Sequence, residues 1–215
     1  MKNIYYSLII LGLLIWFPNG LYAQLVDDFG LKVSLTASNF YATDIKPKMS
    51  ISDLSYHEGT LYSPSISVFA KKTQENSNYE FVIAYIQKGA NKRYSTDSHT
   101  INGNLITTYI TDETLSRYLQ LETNIQPKYK IDNISIYGIL GPTLNYLIST
   151  NLAHTDNELH QVSIGYGLGI GVELKKVKDK SIFAEVKYDG DFKSFRQTSF
   201  KWWNRVLRFS IGTYF

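Results

Sequence analysis

Residues 162–174 read VSIGYGLGIGVEL, and this stretch decides the fold. Successive side chains of a β-strand point to opposite faces, so the large residues Ile164, Tyr166 and Leu168 share one face. A helix would scatter these residues around its axis, whereas a strand keeps them together. The stretch therefore predicts a strand with one apolar face and one nearly bare face. The bare face consists of Ser163, Gly165, Gly167, Gly169 and Gly171.

The same alternation recurs along the chain. Phe29, Leu31 and Val33 share one face of a segment whose other face carries Gly30 and Lys32. A period of two residues over such lengths predicts β-strands. The segments with this pattern are 29–37, 62–71, 79–88, 117–129, 134–147, 162–175, 181–189 and 204–215.

The connections between these segments alternate in length. Short connections cover residues 72–78, a few residues around Asp132, and residues 176–180. Short turns at one end and long loops at the other are typical of an up-and-down barrel in an outer membrane. The long connections cover roughly residues 42–61, 89–116, 148–160 and 190–203.

We therefore predict an all-β protein, an eight-stranded antiparallel up-and-down transmembrane β-barrel. In lipid every backbone N–H and C=O group needs an internal partner, and a closed barrel supplies one. An even number of strands places both termini on the side of the short turns. This predicts periplasmic termini and extracellular long loops in the outer membrane of a Gram-negative bacterium. Residues 24–215 are predicted to form this single domain.

The first 23 residues have the pattern of a cleaved secretory signal peptide. Lys2 precedes an apolar run over residues 8–17, and Ala23 offers a small residue for cleavage. A retained membrane anchor is the alternative. The chain has no cysteine and a formal net charge of +3, so it offers no thiolate chemistry. That small charge gives no reason to expect nucleic acid as a partner.

The interior of an eight-stranded barrel is only wide enough for side chains to fill it. Glycines on the inner face would leave room for large side chains such as Tyr137, Phe183 or Tyr214. The alternation also directs charged residues inward, where an unpaired charge is costly. We therefore expect acids and bases to pair across the interior. The predicted interior charges are Lys32, Glu80, Glu122, Glu173, Glu185, Lys187 and Arg208.

Two long loops are candidates for contacts outside the barrel. Residues 89–116 include NLITTYIT, which has strand character and predicts a hairpin that stands above the bilayer. Residues 190–203 mix cations with aromatic residues, a combination that could hold lipopolysaccharide phosphates or a partner protein. The alternative is an interfacial aromatic belt. The candidate contact residues are Lys193, Arg196, Lys201, Trp202 and Trp203.

The residues near position 160 offer two further possibilities. His154 and His160, with Asp156 and Glu158 between them, could bind a metal, although their spacing matches no standard site. Ser163 or Ser149, with His160 and Glu158, could provide a nucleophile, a base and an orienting acid. Proximity in sequence does not establish this geometry. We predict no catalytic residue, no metal and no cofactor.

Several pieces of the chain, taken in order, carry a resemblance to a known family. They are FGLKVSLTASNF, SPSISVFAKK, YEFVIAYIQKG, YLQLETNIQPKYK, YGILGPTLNYLIS and GYGLGIGVEL. Together they resemble the PorT-like outer-membrane β-barrel domain family of Bacteroidetes. The resemblance covers nearly all of residues 24–215 and implies a barrel in the outer membrane. The terminal Phe215 resembles the aromatic signal that barrel-assembly machinery reads.

These observations predict a small non-enzymatic protein with a structural or interaction role. It could be an accessory subunit of a larger outer-membrane complex for secretion or uptake. A narrow passive pore is the first alternative, and a surface lipid-modifying enzyme is the second. The expected partners are outer-membrane lipid, lipopolysaccharide, the barrel-assembly machinery and such a complex.

Overall fold

A computed structural model describes residues 26–43, 54–99, 105–151, 160–175, 181–192 and 201–214. The predicted signal peptide and Phe215 lie outside these ranges. Eight β-strands run through them: β1 Asp28–Thr43, β2 Leu54–Thr73, β3 Ser77–His99, β4 Leu105–Ile131, β5 Ile134–Thr150, β6 Val162–Lys175, β7 Ser181–Asp191 and β8 Lys201–Tyr214. Within these ranges no helix is long and apolar enough to cross a membrane.

The strands form one closed barrel in chain order. Each strand is antiparallel to the next, and β1 pairs with β8 from Gly30↔Tyr214 to Thr43↔Lys201. Closure gives the backbone groups of the barrel wall partners within the sheet. The predicted fold class is confirmed, and all eight predicted segments lie within observed strands apart from Phe215.

Among the described residues, three strands continue well beyond the rest of the barrel on the side of the long connections. β3 and β4 stay paired from Gly89↔Leu115 to His99↔Leu105, and β2 pairs with β3 from Leu54↔Thr96 onward. We call residues 54–60, 90–99 and 105–114 the arm. The predicted loop 89–116 is therefore mostly a β-hairpin, as its strand character indicated.

A β-bulge interrupts β2 below the arm. Residues 61–65 lie opposite residues 86–89, and Pro64 in this stretch has no N–H group for the ladder. Side-chain hydroxyls replace the missing bonds. The Gly89 N–H donates to Ser38 Oγ at 2.9 Å, and Ser63 Oγ donates to the Gln87 carbonyl at 3.0 Å. The wall therefore stays hydrogen-bonded where its register shifts.

The outer surface of the barrel is an apolar belt. Large hydrophobic side chains alternate with buried residues along every strand, and Leu168 is 47% exposed. An exposed apolar surface this continuous requires lipid rather than water around it. Aromatic residues flank the belt towards both ends of the strands: Phe29, Tyr79 and Tyr129 at the short-turn end, and Tyr85, Tyr146, Tyr188 and Trp203 at the other.

Candidate functional site

The barrel interior is the candidate functional site, because charged and polar side chains fill it. The structure places all seven sequence-predicted charges on the inner wall, each at most 5% exposed: Lys32, Glu80, Glu122, Glu173, Glu185, Lys187 and Arg208. Lys71, Lys88 and Asp189 are buried beside them and were not among the predicted charges. Their strand parity is the signal that could have found them, since Lys71 continues the inward series of Ser63, Ser65 and Ser67.

The first ion-pair cluster joins β4, β7 and β8. Arg208 Nη2 lies 2.6 Å from Glu122 Oε1 and 2.9 Å from Asp189 Oδ2. Lys187 Nζ contacts the same two acids, Glu122 directly and Asp189 at 3.3 Å. Two cations therefore meet two carboxylates in a space closed to water, which balances the charge of the cluster.

The second cluster surrounds Lys32 and joins β1, β3 and β7. Lys32 Nζ lies 2.8 Å from Glu80 Oε1 and 2.9 Å from Glu185 Oε2. Asn124 Nδ2 donates to Glu80 at 3.1 Å, and the Tyr137 hydroxyl donates to Glu185 at 2.8 Å. One cation thus holds two acids, and neutral donors satisfy the remaining carboxylate oxygens.

The third cluster lies towards the short-turn end. Lys71 Nζ is 3.1 Å from Glu173 Oε2, and the Tyr214 hydroxyl donates to the other oxygen of Glu173. Lys71 Nζ also lies 4.1 Å from the centre of the Tyr214 ring. Between this cluster and the second, the rings of Phe69 and Phe183 pack against each other, with their centres 5.5 Å apart. Together the side chains of these layers fill the interior.

The bare face of β6 makes room for two of these side chains. A Cβ atom at Gly171 would overlap the ring of Tyr137, which is its direct partner on β5. At Gly167 a Cβ would lie 2.6 Å from Lys187 Nζ. The ring of Phe183 instead lies over Gly212 on β8. We expected from the sequence that the glycines make room for Tyr137. We did not expect that Gly167 makes room for Lys187.

At the short-turn end a surface pair ties β1 to β2. Lys72 Nζ donates to Asp27 Oδ1 at 2.8 Å, and the Thr73 N–H donates to Asp27 Oδ2 at 2.7 Å. Both donors favour the charged carboxylate, so they hold the pKa of Asp27 below its ordinary value. The pair is exposed and serves to close the end of the barrel wall.

The predicted contact loop is only partly described. Lys193 and Arg196 lie outside the described residues, as do the side chains of Lys201 and Trp202. Trp203 is partly buried beside a surface pocket of about 300 Å³. The pocket is lined by Tyr166, Tyr188, Gly190, Asp191, Trp203, Asn204 and Arg205.

The alternative chemical sites do not assemble among the described residues. Ser163 faces inward and is buried, and its Oγ has no hydrogen-bond partner, so it does not pair with His160. His154, Asp156 and Glu158 lie outside the described ranges. In the part of the chain that is described, no three His, Asp, Glu or Cys side chains group as metal ligands.

Comparisons with known proteins give the fold. No family model matches the chain, and no curated protein matches it. Among solved structures it is similar to Neisserial surface protein A, at 15% identity over 86% of this chain and 95% of that chain, with a TM-score of 0.50.

Two further structures match over similar lengths. OprG from Pseudomonas aeruginosa has 10% identity over 88% of this chain and 97% of that chain, with a TM-score of 0.49. Outer membrane protein W from Escherichia coli has 13% identity over 88% and 98%, with a TM-score of 0.41. At such identities the likeness to Neisserial surface protein A shows the fold alone. The chain has the fold of the small eight-stranded outer-membrane β-barrels.

Proposed function

We propose that the protein is a non-enzymatic outer-membrane barrel that acts through protein contacts, as an accessory subunit of a larger outer-membrane complex. The arm is the observation that carries this proposal. It continues the paired strands β2, β3 and β4 past the apolar belt, and ten residues of β3 from Ala90 to His99 span about 30 Å. A paired extension of that length would reach beyond the membrane surface.

The edges of the arm support a role in binding. Within the described residues, β1 pairs with β2 no further than Ser38↔Leu61, and β4 pairs with β5 no further than Ser116↔Thr150. Alternate backbone groups along residues 54–60 and 105–112 therefore have no strand partner among the described residues, while the Glu113 carbonyl accepts a hydrogen bond from Asn151 Nδ2 at 2.8 Å. Such edges accept an added strand from a partner protein.

The filled interior supports the same proposal, because it disfavours the alternative of a pore. Three layers of paired charges and packed rings fill the space through which a solute would have to pass. A barrel that is filled in this way is suited to anchoring a surface element. The short-turn end, with both termini, would face the periplasm, and the arm would face the exterior. The resemblance to the PorT-like family of Bacteroidetes, and the predicted signal peptide that ends at Ala23, would agree with this placement.

The pocket beside Trp203 suggests how lipid would contribute. Trp203, Tyr166 and Tyr188 give an aromatic wall, and Arg205 adds a cation at the edge of the apolar belt. This combination suits the sugar and phosphate groups of lipopolysaccharide. Lys193, Arg196, Lys201 and Trp202 of the same loop would extend the contact.

The proposal is tested by isolating the barrel with its neighbours. The protein carries an affinity tag inserted within residues 152–159, is extracted in mild detergent from its native outer membrane, and is analysed by mass spectrometry. We expect a partner in stoichiometric amount. The matched variant replaces residues 92–112 with an Asn-Gly turn between Asn91 and Glu113, which are direct partners.

The truncated variant decides which surface holds the partner. Loss of the partner from this variant supports the arm as the binding surface. Retention of the partner would place the contact elsewhere on the barrel and overturn that assignment. Purification of the full barrel alone would contradict the role of accessory subunit.

A further inference from the structure

Lys88 is a buried cation outside the three ion-pair clusters. It is 2% exposed on the inner wall of β3, towards the arm. Its Nζ donates to Asn145 Oδ1 at 2.9 Å and lies 5.3 Å from the centre of the Tyr118 ring. Among the described residues no carboxylate forms a salt bridge with it. Its ammonium group therefore keeps donor capacity that the protein does not use.

The nearest acids are committed to other partners. Asp189 pairs with Arg208 at 2.9 Å and with Lys187 at 3.3 Å. Asp191 accepts hydrogen bonds from the backbone and side-chain nitrogens of Asn204, at 3.1 Å and 2.6 Å. Both acids act on Lys88 through longer-range electrostatics. Lys88 thus has no direct acid partner among the described residues of the wall formed by β3, β4 and β5.

A row of buried polar side chains that includes Asn145 carries atoms without hydrogen-bond partners in the described part of the chain. Asn145 lies on β5. Its direct neighbours are Gln120 on β4 and Ser163 on β6. All three are at most 6% exposed. Asn145 Nδ2, Ser163 Oγ and both amide atoms of Gln120 have no hydrogen-bond partner. Buried polar groups rarely remain unpaired, because each loses its bond to water without replacement.

The chemistry of this row selects the ligand. Lys88 reaches this row through Asn145, whose Nδ2 is an N–H donor. In the neighbouring strands Gln120 Nε2 is a further N–H donor, and the Ser163 hydroxyl can donate as well. A cation next to N–H and O–H donors suits an anion, whereas a metal ion would need carboxylate or carbonyl oxygens. The neighbouring ring of Tyr118 and the filled interior below it limit the size of the guest.

We propose that Lys88, Gln120, Asn145 and Ser163 form a binding site for a small anion, either a halide or the carboxylate of a small solute, at the arm end of the interior. The three ion-pair clusters close the barrel beneath it. The site is consequently closed on that side and is not a step along a channel. It does not depend on the accessory-subunit proposal, because none of its residues belongs to the arm.

Unfolding equilibria provide the first test. The refolded barrel in phospholipid vesicles is titrated with urea in sodium bromide, in sodium acetate, or in sodium gluconate as the reference salt with a bulky anion, all at one ionic strength. A ligand that binds only the folded state multiplies the folding equilibrium constant by a factor. That factor is one plus the ratio of the ligand concentration to its dissociation constant. A site with a dissociation constant of about 10 mM gives roughly a tenfold increase at 100 mM bromide.

Lys88→Met removes the charge and keeps the length of the side chain. We expect this variant to be at least as stable as the wild type in gluconate, and to gain nothing from bromide or acetate. Lys130→Met, at the exposed end of β4, is the control and should respond as the wild type does. Equal stabilisation of the wild type and Lys88→Met by bromide would overturn the proposal.

Diffraction gives the direct test. Crystals of the wild type soaked in sodium bromide should show an anomalous peak within about 3.5 Å of Lys88 Nζ, and crystals of Lys88→Met should not. A response to acetate but not to bromide in the titration would assign the site to carboxylate solutes. Water alone at Lys88, with no response to either anion, would show that the unpaired groups are merely hydrated.

Discussion

Lys32 has a larger effect on the interior than its single charge suggests, because it is held by Glu80 and Glu185 together. Removing the cation would leave two buried carboxylates facing each other. Removing one of the acids would leave a balanced pair. The cost of a substitution here therefore depends on which partner is lost.

Lys32→Met should lower the free energy of unfolding by about 3–5 kcal/mol. Glu80→Gln should cost much less, about 1 kcal/mol, since Lys32 keeps Glu185 and the amide still accepts a hydrogen bond. Urea titration of the barrel in vesicles measures both. Leu168→Ala on the lipid face is the control, with a loss of about 1–2 kcal/mol from apolar area. A larger loss for Leu168→Ala than for Lys32→Met would mean that the inner and outer faces are reversed.

Gly171 is required by a single neighbour, the ring of Tyr137. Gly171→Ala should destabilise the barrel, because the new Cβ would overlap that ring. In the double variant with Tyr137→Ala this clash is absent, so the two losses should not add, with a coupling of about 1–3 kcal/mol. Gly138→Ala is the control, since its Cβ would lie 3.5 Å from Pro127 in ordinary contact. Additive losses at Gly171 and Tyr137 would contradict the contact.

The strands of the barrel wall could be predicted because one face meets lipid and the other meets polar side chains. The arm lacks that contrast. Residues 105–113 read LITTYITDE, and outside the belt polar residues are favourable on both faces, so the period of two disappears. The sequence consequently predicted that a hairpin is present but not where its strands begin and end. The bulge beside Pro64 was missed for a related reason, since alternation continues through residues 61–65 while the register changes.

The candidate site was predictable by face but not by partner. Alternation identifies Lys32 and Glu185 as inward residues, yet these lie on β1 and β7 and are 153 positions apart in sequence. Which acid meets which base depends on the tilt of the strands and on the reach of each side chain. Asp189 illustrates the limit, because strand parity could have identified it as an inward residue, whereas its pairing with Arg208 could not have been predicted.

Truncation of the arm tests whether the arm contributes to the stability of the barrel wall. Replacing residues 92–112 by an Asn-Gly turn keeps the pair Asn91↔Glu113 and all pairs below it. We expect the unfolding midpoint of the barrel to stay unchanged, since the belt and the ion-pair clusters are intact. A drop of the midpoint comparable to that of Lys32→Met would show that the arm stabilises the wall.

The closed interior leads to a prediction for the whole molecule. Three successive layers of paired charges separate the arm end from the short-turn end, so the purified barrel in a planar bilayer should carry no stable ion current. Arg208→Ala should also stay closed, because the layers around Lys32 and Lys71 remain. Regular conductance steps from the wild type would instead favour the narrow passive pore.

The bridge from Lys32 to β3 and β7 has a consequence for assembly. If one strand slipped by two residues during closure, its inward faces would stay inward, but the shift of about 6.6 Å would separate cation from acid. A slip by one residue would turn the charges into lipid. The interior charges therefore select the strand register. The register that brings opposite charges from distant strands together has the lowest free energy, and barrels closed in another register are destabilised by unpaired charges.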